Sequence, residues 1–309
     1  MIRTAILCSG QGAQSAAMFA LLADAPAAAP VFAAAKCVLG GTDPRDLVHQ
    51  ATGDTIHTDK IAQILCCTQT MAAWAVIGGR LKRPLLVAGY SVGELAAWGV
   101  AGLLDPTGVL ALAADRAAAM DAATTQPSGL AAIHGLTRVA LEAICQRHGC
   151  SIAIVNAADQ MLVGGTNASL AATVRDAMSG GATHATMLPV AVASHTPSLA
   201  AASAAFRKSL AASSIRSCLS SGMRLLSGID GMAVFDVPEA EAKLARQIQQ
   251  TVDWAACMES CHSLGVTKVI ELGPGSALVH MMRDVIPDAD SHSLSEFHSL
   301  DGFIRWATG

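Results

Sequence analysis

Gly89-Tyr90-Ser91-Val92-Gly93 lies between an apolar run, Leu85-Leu86-Val87-Ala88, and a run of good helix formers, Glu94-Leu95-Ala96-Ala97-Trp98. An apolar run of that length reads as a buried strand. Strand, tight turn and helix form the setting that turns G-x-S-x-G into a nucleophile elbow. The two glycines allow a turn sharp enough to lift the Ser91 hydroxyl into the open. The first N–H groups of the new helix, starting with Val92, have no intrahelical acceptor and sit where a developing oxyanion needs donors.

Composition agrees with a globular α/β chain. With 309 residues, 52% hydrophobic and 14% charged, a large core is available, and neither disorder nor a coiled coil fits. The net charge of −4 argues against nucleic acid as a partner. No apolar run reaches the roughly 18 to 20 residues of a membrane span, and the N-terminal Met1 to Cys8 is too short for a signal peptide. It reads instead as the first strand. A cytoplasmic protein with its nine cysteines reduced is therefore expected. Cys257 and Cys261 lie one helical turn apart beside His262, but no second ligand pair answers them, and buried core thiols are the better reading.

After the first strand, Gly10-Gln11-Gly12-Ala13-Gln14-Ser15 departs from a dinucleotide fingerprint at its third glycine position. A glycine-flanked Gln11 there can aim its backbone N–H into a site at the carboxyl ends of the strands, where open α/β sheets bind ligands. Residues 16–37 read as helical with an interruption at Pro26 and Pro30. Asp43-Pro44 and Asp105-Pro106 each read as a cap followed by the first helical residue, and Asp59 as the cap of a helix reaching Gly78. The helix after Asp105 places Val109, Leu112, Ala113, Arg116 and Met120 on one apolar face. A buried Arg116 needs an anionic partner, unless it reaches solvent or pairs with a structural carboxylate.

From Ser128 the pattern becomes strand, helix, two strands, helix, strand: a ferredoxin-like unit over residues 127–193, inserted into a larger α/β-hydrolase-like domain of residues 1–126 and 194–309. Its last strand is expected over 185–192. His195 then lies at the seam between the two. Of the ten histidines it is the best placed to act as a base for Ser91, since it follows a strand and comes after the serine in chain order; spacing does not decide it against His134. Strands are expected at 223–227 and 268–272. The histidine-spotted residues from Asp288 onward carry no assignable pattern.

Gly10-Gln11-Gly12-Ala13-Gln14, Gly89-Tyr90-Ser91-Val92-Gly93-Glu94, Arg116, Ser194-His195 and Glu271-Leu272-Gly273-Pro274-Gly275 occur in the order and spacing of malonyl-CoA:acyl carrier protein acyltransferases. The resemblance covers nearly the whole chain. It implies Ser91 as the acylated nucleophile, His195 as its base, and Gln11 and Val92 as oxyanion-hole donors. It further implies that Arg116 holds the malonyl carboxylate, that Asn156 lies near the site, and that the backbone carbonyl of Asp253, ahead of Trp254, orients the histidine. The pair is thus a Ser-His dyad, with no metal or bound cofactor. The substrate would be malonyl-CoA and the acceptor the phosphopantetheine-type thiol of an acyl carrier protein.

The family usually carries histidine where this chain has Tyr90. In that respect the chain looks most like the acyltransferase (epsilon) subunit of bacterial malonate decarboxylase, which loads that complex's own carrier. The alternatives are a malonyltransferase of fatty acid or polyketide synthesis, or a serine thioesterase or esterase on the same elbow. Arg207, Lys208 and Arg283 are candidates for meeting an acidic carrier.

Overall fold

The computed structural model describes residues 2–51 and 55–309, so Met1 of the expected first strand lies outside the described residues. The chain opens with β1 (Thr4–Cys8), α1 (Ala29–Val38), α2 (Pro44–Gln50), α3 (Asp59–Ile77), β2 (Leu85–Gly89), α4 (Gly93–Val100) and α5 (Pro106–Ala123). There follow β3 (Ser128–His134), α6 (Arg138–His148), β4 (Ser151–Ala157), β5 (Gln160–Thr166), α7 (Asn167–Ser179) and β6 (His184–Met187). The last part holds α8 (Ala200–Ala212), β7 (Met223–Leu225), α9 (Val237–Gln247), β8 (Val252–Asp253), α10 (Trp254–Ser263), β9 (Lys268–Leu272), α11 (Ala277–Val285), β10 (Asp290–Ser293) and α12 (Leu300–Thr308).

A parallel sheet of order β10-β9-β1-β2-β7 forms the centre of the protein. Its inner strands are apolar at almost every position because both faces are covered. Ile6, Cys8, Leu85 and Val87 face a core shared with α3, α4 and α5, while Ala5, Leu7, Leu86 and Ala88 face α10 and α11. In register, Cys8 pairs with both Gly89 and Leu272. The three strands therefore end level, and the loops after them share one edge of the sheet.

The second sheet has the order β6-β3-β5-β4-β8. Its first four strands are antiparallel neighbours in the ferredoxin-like arrangement, with α6 and α7 packed on one face through Ile133, Ile152, Val163, Leu141 and Leu170. A fifth strand was not expected: β8, from the last third of the chain, adds in parallel to β4.

Several elements differ from the sequence reading. Residues 16–24 form successive turns, with bonds such as Met18 N–H to Ser15 O and Leu22 N–H to Phe19 O, in place of a helix. The cap of α3 is Thr58, and Asp59 is its first helical residue. β6 ends at Met187 rather than running to 192. The C-terminal segment forms an edge strand, β10, and a helix, α12, whose Phe303 is fully buried. Finally, α3, 19 residues long with mean hydropathy 1.2 over its most apolar 18-residue window, is long and apolar enough to cross a membrane by length and composition, yet it is a core helix with Ile64, Leu65, Ala72 and Ile77 wholly buried.

Candidate active site

The elbow is built by close backbone approach. A Cβ on Gly93 would lie 2.1 Å from the Cys8 carbonyl oxygen, and one on Gly89 would lie 2.2 Å from the Gly93 carbonyl, so neither position admits a side chain. Ser91, between them, has φ +54°. His195 has φ +61°, and among the described residues these are the two non-glycine residues with positive φ. Backbone strain of this kind costs about 1–3 kcal/mol per residue and persists where surrounding structure enforces it, commonly at functional sites.

The two strained residues meet. Ser91 Oγ and His195 Nε2 are 2.8 Å apart. His195 Nδ1 is 2.6 Å from the Gln247 carbonyl oxygen, which can only accept, so Nδ1 carries the proton and Nε2 is left to accept from the serine hydroxyl. The His195 backbone N–H donates to Ile248 O at 2.8 Å. Both carbonyls belong to the C-terminal end of α9, where a helix leaves its last carbonyls unpaired and carries partial negative charge. That end of α9 fixes the ring and favours an imidazolium formed in passing, so no carboxylate need touch His195. The position expected for the Asp253 carbonyl thus belongs to Gln247. Asp253 instead caps α10, accepting from Ala256 N–H at 2.9 Å, and donates its own N–H to Gly228 O.

His195 is buried, and its pKa is drawn down to about 3, chiefly by desolvation and then by the charge of Arg116, against the favourable Gln247 contact. It is therefore neutral near pH 7, in the form that accepts a proton. His134, the competing histidine, lies on the second sheet opposite His184, their rings 5.5 Å apart.

Arg116 is 1% exposed. Its guanidinium donates to Gln63 Oε1 at 2.7 Å and to Gln247 Oε1 at 3.3 Å. These bonds orient both amides. Gln63 Nε2 donates to Asp59 Oδ2 at 2.8 Å, and Gln247 Nε2 donates to Glu94 Oε2 at 2.5 Å and to Ser91 O at 3.2 Å. The result is a chain of carboxylate, amide, guanidinium, amide, carboxylate, buried except at its half-buried Asp59 end. Among the described residues no carboxylate pairs directly with Arg116; Asp59 and Glu94 act on it from one amide away. Burial raises the Glu94 carboxyl to about 7, against its bonds from Gly228 N–H and Gln247.

The remaining residues surround this centre. Val92 is fully buried and stands just ahead of α4, whose turn bonds begin with Gly93 N–H to Tyr90 O. Gly10, the residue before Gln11, approaches so closely that a Cβ there would lie 3.7 Å from Ser91 Cβ, while the Gln11 side chain donates to Asp59 Oδ1 at 3.2 Å. Tyr90 Oη donates to Asn156 Oδ1 at 3.1 Å, and its ring stands edge-on to Trp254, with centroids 5.4 Å apart. The Glu271 carboxylate, raised to about 7 by burial, accepts from Ser9 Oγ at 2.8 Å and Val279 N–H at 2.9 Å, so it anchors the loop that carries Gln11. Sequence reasoning missed Gln63 and Gln247, and gave Glu94, though part of the elbow motif, no role. The signal was a polar residue inside an apolar helix, as with Gln63 in α3. Of the three cations expected to meet a carrier, Arg207 and Lys208 are exposed, whereas Arg283 is tied to Glu296 and Ser291 O.

Known proteins resemble this chain over nearly its whole length. Residues 6–296 match the family described as acyl transferase domain. The chain is 30% identical to the malonyl CoA-acyl carrier protein transacylase of Mycobacterium tuberculosis over 96% of its length and 98% of that protein's. It is 26% identical to the transacylase of the same name from Escherichia coli K12, covering 96% and 97%. The crystal structure of an acyl-carrier-protein S-malonyltransferase from Burkholderia pseudomallei superposes with TM-score 0.90 at 28% identity, covering 98% of this chain and 100% of that one.

Proposed function

The chain belongs to the acyl transferase domain family and is an acyltransferase; from that premise we propose that it moves a malonyl group from malonyl-CoA to the thiol of an acyl carrier protein. The observation that carries this reading is a serine hydroxyl 2.8 Å from a neutral histidine, beside a buried arginine that has no direct carboxylate partner among the described residues. Ser91 Oγ attacks the thioester carbonyl as its proton passes to His195 Nε2. The oxyanion is met by the N–H groups of Gln11 and Val92. Collapse breaks the C–S bond, and His195 returns the proton to the departing CoA thiolate. The carrier thiol then repeats the sequence in reverse, giving up its proton to His195 and taking the acyl group from Ser91. Arg116 offers its fork to the free malonyl carboxylate, a fit a point charge lacks.

The name shared by the relatives favours a general acyl carrier protein as acceptor, the kind used in fatty acid or polyketide synthesis. The reading as a malonate decarboxylase subunit rests on Tyr90. That residue's side chain is engaged inside the protein, by Asn156 and Trp254. The test is kcat/KM for malonyl transfer to purified carriers of each kind. Preference for a fatty acid or polyketide carrier supports the reading, and preference for a malonate decarboxylase carrier reverses the choice of acceptor. Release of free malonate at the same rate with and without a carrier would instead mark a hydrolase.

A further inference from the structure

Two peptide units supply the oxyanion donors in this reading, and their carbonyl oxygens are anchored differently. The Ser91–Val92 unit is held within the elbow, since its carbonyl accepts from Glu94 N–H at 3.0 Å and from Gln247 Nε2 at 3.2 Å. The Gly10–Gln11 unit lies in a loop after β1, and the donor to its carbonyl among the described residues is the Cys66 thiol, at 3.3 Å. Cys66 is wholly buried in α3, and burial pushes its pKa well above the usual thiol range, so it stays protonated and able to donate.

We propose that Cys66 is a positioning residue for the Gln11 oxyanion donor. A peptide plane is rigid, so fixing its carbonyl oxygen fixes the direction of its N–H. A hydrogen bond to the carbonyl also polarises the unit and strengthens the N–H as a donor. Neighbouring Cys67 supplies an internal control. It is equally buried and also donates to a carbonyl, that of Val92 at 3.8 Å, but that carbonyl belongs to the Val92–Gly93 unit, which offers no oxyanion donor in this scheme. The proposal rests on acyl transfer through Ser91.

The test compares Cys66→Ala with Cys67→Ala, which remove the same atom from equally packed places. Deleting a whole oxyanion donor costs about 100- to 1,000-fold in kcat, so loosening one that remains is expected to cost about 3- to 30-fold. For Cys66→Ala we expect that loss in kcat with KM little changed. The infrared band of the carbon-13-labelled ester carbonyl on malonyl-Ser91 should also move to higher frequency, as it does when a hydrogen bond to that oxygen weakens. Cys67→Ala should show neither. An unmoved carbonyl band in Cys66→Ala, or equal losses in both variants, would overturn the positioning role while leaving acyl transfer intact. Absence of any malonyl ester in the unsubstituted protein would overturn acyl transfer itself, and this role with it.

Discussion

Arg116→Ala is the perturbation whose outcome the site geometry defines most sharply. In the proposed reaction the guanidinium does two things: it would meet the substrate carboxylate, and it ties the Gln63 amide to the Gln247 amide. The first is a charge-assisted pair, whose loss costs about 2–5 kcal/mol, or roughly 30- to several-thousand-fold. The second is smaller for the reaction. Gln247, whose backbone carbonyl orients His195, keeps its bonds to Glu94 and to Ser91 O when Arg116 is gone. The dyad should then loosen by about one ordinary hydrogen bond, 0.5–1.5 kcal/mol, or up to roughly tenfold. Acetyl-CoA lacks the carboxylate and should feel the second loss alone. The assay is kcat/KM for malonyl-CoA and acetyl-CoA in both proteins. The malonyl-to-acetyl ratio is expected to collapse by at least about 30-fold while acetyl transfer falls by no more than about tenfold. Equal losses, leaving the ratio intact, would mean that Arg116 only braces the amides, and the specificity argument would fail.

Other consequences follow from the same geometry. Because His195 is held at about 3, the acylation rate should show no acid limb near the ordinary histidine value of about 6.5. Unfolded, that histidine takes up a proton near 6.5, so its contribution to folding stability is lost as pH falls from there toward 3. A rate falling about tenfold per pH unit below 6.5, and unchanged by Glu94→Gln, would contradict the assigned base, whereas a limb near 7 that vanishes in Glu94→Gln belongs to that carboxyl. Gly93→Ala drives a Cβ to 2.1 Å from the Cys8 carbonyl and should destabilise by about 3 kcal/mol or more in urea titration; near-normal stability would refute the elbow geometry. Tyr90→Phe keeps the ring beside Trp254 but removes the bond to Asn156, and should cost about 0.5–1.5 kcal/mol in the same titration; no change would show that this bond contributes nothing.

What the sequence made legible was local. Strand, elbow and helix follow one another without a gap, and the caps Asp43 and Asp105 sit directly ahead of their prolines, so short-range chemistry sufficed. Arg116 could be placed on a buried face by helical spacing. Its partners could not. Gln63 and Gln247 reach it from 53 and 131 residues away, through amides that carry no charge signal. The orienting carbonyl was misplaced at Asp253 because any residue supplies a carbonyl, and only the course of α9 brings that of Gln247 to His195. The alanine-rich stretch after Ser15 suggested a helix by propensity, but burying Phe19 and Leu22 holds it in turns. β10 was missed because Asp290-Ser291-His292-Ser293 is a polar edge strand without alternation, paired on one side by β9.

The central claim is that Ser91 carries the acyl group. Intact mass measured after exposure to malonyl-CoA should show one added malonyl group per chain, absent in Ser91→Ala and removed from the unsubstituted protein when a carrier thiol is supplied. A malonyl adduct of equal amount in Ser91→Ala would contradict the account.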